Sequence, residues 1–98
     1  MAQFGLLGLL QAKAGKELEL EAFLKSALPL AVAENATISW YAVKFGPSRF
    51  GIFDTFDDEK GRQAHLDGEI AKALFAKAEE LLESAPQIEL LEILAEKT

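Results

Sequence analysis

The sequence predicts an α+β fold whose elements run β-α-β-β-α-β, and three observations carry that reading. The spacing of apolar residues switches between strand-like and helical periods along the chain. Glycine and proline clusters stand at the switches. The first and last apolar runs have hydrophobic residues on both sides, as in a sheet buried on two faces.

Gln3 to Ala12 is a short leucine-rich run, ambiguous by itself, which Ala14-Gly15-Lys16 breaks in the manner of a turn. From Lys16 to Glu34 the spacing is helical: Leu20, Phe23, Leu24, Ala27, Leu28 and Ala31 recur at three and four, with Glu17, Glu19, Glu21 and Lys25 off the stripe. Pro29 removes one backbone donor within this pattern and predicts a kink or an early end. Thr37 to Phe45 is rich in β-branched and aromatic residues and predicts a strand. Gly46-Pro47-Ser48 then turns the chain into a second strand, Arg49 to Phe56, completing a hairpin. Asp57, Asp58 and Glu59 supply the negative first turn of a helix. After Gly68 a stripe of Ile70, Ala71, Leu74, Ala78, Leu81 and Leu82 continues until Ser84-Ala85-Pro86. Gln87 to Ala95 closes the pattern as a final strand.

This order is the ferredoxin-like, split β-α-β arrangement: an antiparallel sheet with both helices on one face. Two helices cover only one face, yet the terminal strands are apolar on both. Phe4, Leu6 and Leu10 oppose Leu7 and Leu9; Ile88, Leu90 and Leu94 oppose Leu91 and Ile93. The expectation is a homodimer through the helix-free sheet faces.

Bulk properties narrow the function. With 98 residues, the chain holds one core and is expected to be one domain over 1–98. A net charge of −6 argues against nucleic acid and against an anionic membrane surface. The absence of cysteine removes disulfides, thiolate catalysis and zinc–sulfur sites. The apolar run Phe4 to Leu10 lacks a basic flank and is too short to span a bilayer, so the cytoplasm is the expected compartment. No phosphate-cradling loop, dinucleotide fingerprint or nucleophile elbow is present.

The single histidine, His65, is the main candidate for chemistry. On one continuous helix it would lie opposite the Ile70–Leu74–Ala78 stripe, in solvent. If Gly68 interrupts the helix, its face becomes Gly61, Ala64, His65 and Gly68, which would meet the sheet with almost no side-chain bulk and leave a cavity. Trp40 and Tyr41 are adjacent and so point to opposite faces of their strand. Phe50, Phe53 and Phe56 read as core aromatics. Arg49 is a surface residue or a partner for an anionic substrate near the hairpin. Asp54 either lies in water at a strand edge or orients His65 and accepts a proton. His65, Asp67 and Glu69 make only a weak metal site.

The stretch "FGIFDTFDDEKGRQAHL", ending one strand and opening a helix, resembles the antibiotic biosynthesis monooxygenase superfamily, with Phe56, Ala64, His65 and Leu66 at the characteristic positions. The similarity extends from "LLQAKAGKELELEAFL" to the final strand and is nearest to quinol-monooxygenase-like members. It implies a dimeric α+β barrel and a helix broken near Gly68. It also implies a cofactor-independent monooxygenase whose quinol-like or polycyclic phenolic substrate supplies the electrons. No cofactor is expected. His65 would be the acid–base group or hold the phenolic oxygen. Trp40, Tyr41, Phe53 and Phe56 would form the walls, with Arg49 and Ala64 at the substrate. The alternative is a non-catalytic dimer of the same fold, a small-molecule binder or stress-related protein. A haem-degrading role fits poorly, since the first strand has no asparagine and Phe56 stands where that branch has tryptophan.

Overall fold

Alternation along the strands decides which residues meet the helices. A computed structural model describes residues 2–98. It contains strands β1 (Phe4–Gln11), β2 (Thr37–Lys44), β3 (Arg49–Phe56) and β4 (Gln87–Glu92), with helices α1 (Glu17–Ser26), α2 (Leu28–Ala33), α3 (Glu59–Leu66) and α4 (Glu69–Leu81). The four strands form one antiparallel sheet in the order β2-β3-β1-β4. Leu6 and Leu10 of β1 and Phe50, Ile52, Asp54 and Phe56 of β3 are buried beneath the helices. This is the ferredoxin-like α+β architecture that the sequence predicts.

Each expected helix is two. The first breaks at Ala27, which leaves Pro29 in the opening turn of α2, where its missing N–H is not needed. The second breaks at Asp67-Gly68, as the independent phasing of His65 requires. The last strand stops at Glu92, short of the expected Ala95, because its partner β1 begins at Phe4, opposite Glu92.

The main core joins Leu10, Leu20, Leu24, Phe50, Ile52, Leu74 and Leu81, and a smaller cluster holds Ala27, Ala31 and Ile70. Trp40 packs against both and bridges them. The opposite sheet face is apolar without helical cover. Leu7 and Leu9 are half-buried there, Phe53 lies beside Leu7, and Tyr41 is 57% exposed. None of the described helices is long and apolar enough to cross a membrane.

A buried histidine between two carboxylates as the candidate functional site

Three elements deliver the site. Asp54 occupies the helix-facing side of β3 between Ile52 and Phe56, and none of its surface is exposed. Asp58 caps α3 by accepting the Gly61 N–H at 2.8 Å, which fixes the start of the helix. Gly61 and His65, four residues apart, then share the face turned to the sheet. Glu34 ends α2 as its C-cap residue.

His65 is 5% exposed and has a carboxylate at each ring nitrogen. Nδ1 is 2.6 Å from Glu34 Oε1, and Nε2 is 2.8 Å from Asp54 Oδ2. The Phe56 ring packs against the imidazole with centroids 5.5 Å apart. Thr37 Oγ1 donates to the same Glu34 oxygen at 2.7 Å. The Asp54 contact is an ion pair, and neither Asp54 oxygen has a well-aligned hydrogen bond among the described residues.

The electrostatics follow from this geometry. Burial by itself pushes the His65 pKa down, but the Asp54 and Glu34 carboxylates outweigh it and raise it from 6.5 to about 9. His65 is therefore an imidazolium at neutral pH, with a donor for each carboxylate. Burial pushes the Asp54 carboxyl above its ordinary value, with His65 opposing and Glu34 adding to the rise. At neutral pH His65 is thus a fixed positive charge and not a general base.

The small residues around His65 do not leave the expected cavity. A Cβ at Gly61 would lie 3.2 Å from Ala36 Cβ and 3.2 Å from Asp58 Oδ1. One at Gly68 would lie 3.2 Å from Glu34 Oε2. The glycines admit the chain around Ala36 and the Glu34 carboxylate, and these fill the space. Gly61→Ala is accordingly expected to cost about 1–3 kcal/mol by overpacking, read as a lower urea midpoint. An unchanged midpoint would restore the cavity.

The predicted site residues separate into groups. Trp40 and Phe56 face the helices with Asp54 and His65, and Trp40 stands directly opposite Asp54 across β2 and β3. Tyr41 and Phe53 pair across the same strands on the opposite, helix-free face. Arg49 is exposed and its guanidinium lies over the Phe45 ring at 5.4 Å. None of these three shares a sheet face with His65 in the single chain. Ala64 is exposed, because one residue before His65 is about 100° around the helix. The solvent reading of His65 is corrected by its burial, and the strand-edge reading of Asp54 likewise.

Glu34 is the residue that sequence reasoning missed. It lies 31 residues from His65, in a stretch of helical spacing whose other glutamates are on α1. Only its position where helical spacing stops, beside Asn35, sets it apart.

No family model matches the chain, and no curated protein does. Solved structures match over nearly its whole length. A protein of unknown function from Nitrosomonas europaea is 57% identical, with a TM-score of 0.98, covering 100% of this chain and 95% of that one. A candidate antibiotic biosynthesis monooxygenase from the same organism is 11% identical, with a TM-score of 0.83 and coverage of 94% and 99%. Another so named, from Caulobacter crescentus, is 18% identical, with a TM-score of 0.79 and coverage of 96% and 92%. The chain belongs to one family with the Nitrosomonas europaea protein of unknown function, and it shares its fold with the solved structures named as candidate antibiotic biosynthesis monooxygenases.

Proposed function

We propose that the protein is a cofactor-independent monooxygenase acting on a quinol-like or other phenolic small molecule. The observation that carries this reading is the buried Asp54–His65–Glu34 array, in which charge is held inside the core at sizeable cost. Asp54 is the sequestered end and Glu34 the part-exposed end. A proton taken by Asp54 stays on its buried carboxyl, beside the His65 imidazolium that Glu34 holds from the other side. The fixed imidazolium favours an anion nearby, as a phenolate is, and the apolar surroundings exclude water. The substrate supplies all the electrons: one oxygen atom of O2 enters the product and the other leaves as water. For a hydroquinone, a ring C–H becomes C–OH and the two hydroxyls become the quinone.

A panel of hydroquinones and anthrones in aerated buffer, followed by oxygen uptake, tests this. The expected result is uptake above the uncatalysed rate for at least one substrate, reduced about 10²–10⁴-fold by Asp54→Asn. No enhancement across the panel would leave the second reading, a non-catalytic binder. One observation favours that reading: both His65 nitrogens already face carboxylates.

We also infer that the protein works as a homodimer joined through the helix-free sheet faces. Supporting this, the face carries Leu7, Leu9, Tyr41, Val43 and Phe53 with no helix over it. Tyr41→Asp is expected to leave the monomer folded, since Tyr41 is exposed, and to convert dimer to monomer in sedimentation at micromolar concentration. A wild-type chain that sediments as a monomer would overturn the inference.

A further inference from the structure

Three buried polar atoms on the helix-facing side of the sheet lack a hydrogen-bond partner among the described residues, Trp40 Nε1 and the two Asp54 oxygens, and only Oδ2 has the His65 charge beside it. Trp40 Nε1 is a donor with nothing to donate to, and Asp54 Oδ1 is an acceptor that receives nothing. Trp40 and Asp54 face each other across β2 and β3, and side chains so placed on one face are neighbours. Buried polar groups are almost always satisfied, so an unpartnered donor and an unpartnered acceptor on opposed residues point to a third group that both reach.

That group must accept from an N–H and donate to a carboxylate. A hydroxyl does both. Trp40 also borders a cleft of about 240 Å³ between α2 and the start of β2, with Leu28, Val32 and Ile38 among its walls. Asp54 does not line the cleft and Trp40 Nε1 is itself buried, so a ligand's hydroxyl would reach the pair only by displacing the indole edge. The cleft is smaller than the ~300–1,000 Å³ usual for ligand pockets, which favours one or two fused rings over a larger polycycle.

We propose that Trp40 and Asp54 form the hydroxyl-binding end of a site for a one- or two-ring phenol, Trp40 Nε1 donating to the hydroxyl oxygen and Asp54 accepting its proton. The inference rests on the reading of the protein as a phenol oxygenase and makes Asp54, not His65, the base. His65 is then a positioning residue that acts through Asp54.

The chain has a single tryptophan, so one indole N–H resonance reports Trp40 alone. The test titrates the full chain with 1-naphthol and, separately, with 1-methoxynaphthalene, which lacks the donor. The expected result is a shifted indole N–H signal with 1-naphthol and at least tenfold weaker binding of the ether. By calorimetry, Trp40→Phe and Asp54→Asn should each weaken 1-naphthol at least tenfold and leave the ether unchanged. Trp40→Phe keeps the ring in the core and serves if Asp54→Asn does not fold. Equal affinities for the two ligands, an unmoved indole signal, or no binding below millimolar would overturn the site and leave a resident water as the third group. Binding as expected with no oxygen uptake on any substrate removes the oxygenase and keeps the site. Uptake undiminished in both variants removes the site and keeps the oxygenase.

Discussion

His65→Ala is expected to destabilise the protein by about 3–5 kcal/mol, the loss seen when one partner of a buried ion pair is removed. The reason is what stays behind. Asp54, with none of its surface exposed, would keep a carboxylate in the core with no cation near it, and Glu34 would lose the donor at 2.6 Å. Against a total stability of ~5–15 kcal/mol for a small domain, much of the margin would go. At ~4–8 °C per kcal/mol, the melting temperature should fall by more than about 10 °C. Urea denaturation at pH 7 measures the loss. It should shrink at low pH, where Asp54 takes up a proton and the stranded charge disappears. The double variant with Asp54→Asn should recover part of it. A single variant within ~1 kcal/mol of wild type would show that the contacts at the two ring nitrogens contribute little. From the sequence alone, the same substitution looks harmless, because His65 then borders a cavity; the Glu34 and Ala36 positions reverse that expectation.

Stability should also fall as pH rises from about 6.5 to about 9. His65 binds its proton more tightly folded than unfolded, with a pKa raised from 6.5 to about 9 by the two carboxylates against the opposing effect of burial. A raised pKa means that the folded state holds the extra proton across that window. The contribution is therefore complete below 6.5 and is lost as pH passes through 9. At ~1.4 kcal/mol per pH unit, the ceiling is about 3.5 kcal/mol. Asp54 shifts upward as well, so its slope has the same sign, beginning above 3.8. The two groups titrate as one coupled pair and their effects do not simply add. Urea midpoints at pH 6, 7.5 and 9 should decline in that order, and His65→Gln should flatten the decline. No cysteine and no second histidine titrates in this window. A wild-type midpoint independent of pH would contradict the buried imidazolium.

Much of this fold was legible because local rules and tertiary packing agree. Strand and helix periods place all the elements, and Pro29 and Gly68 mark both helix breaks. Adjacency alone separates Trp40 from Tyr41. The site was legible only in pieces. His65 stands out as the sole histidine, and Asp54 as a carboxylate in an apolar strand. Glu34 did not stand out, because a C-cap glutamate becomes a ligand for a histidine only once α2 and α3 meet over the sheet. The glycines misled for a related reason: a missing side chain signals either a cavity or a close approach, and only the neighbour from a distant segment decides which.

The strand order has a consequence for how the chain is made. β1 lies between β3 and β4, so the first strand synthesised is held by partners that emerge last, Phe4 pairing with both Phe56 and Glu92. At the ribosome's ~5–20 residues per second, about 4–16 s separate the completion of β1 from that of β4. Only the β2–β3 hairpin closes locally during that interval. β1 waits with both backbone edges open until β3 emerges, and its β4 edge stays open until the last strand is made. A nascent chain therefore carries an apolar strand with an uncovered edge through most of its synthesis.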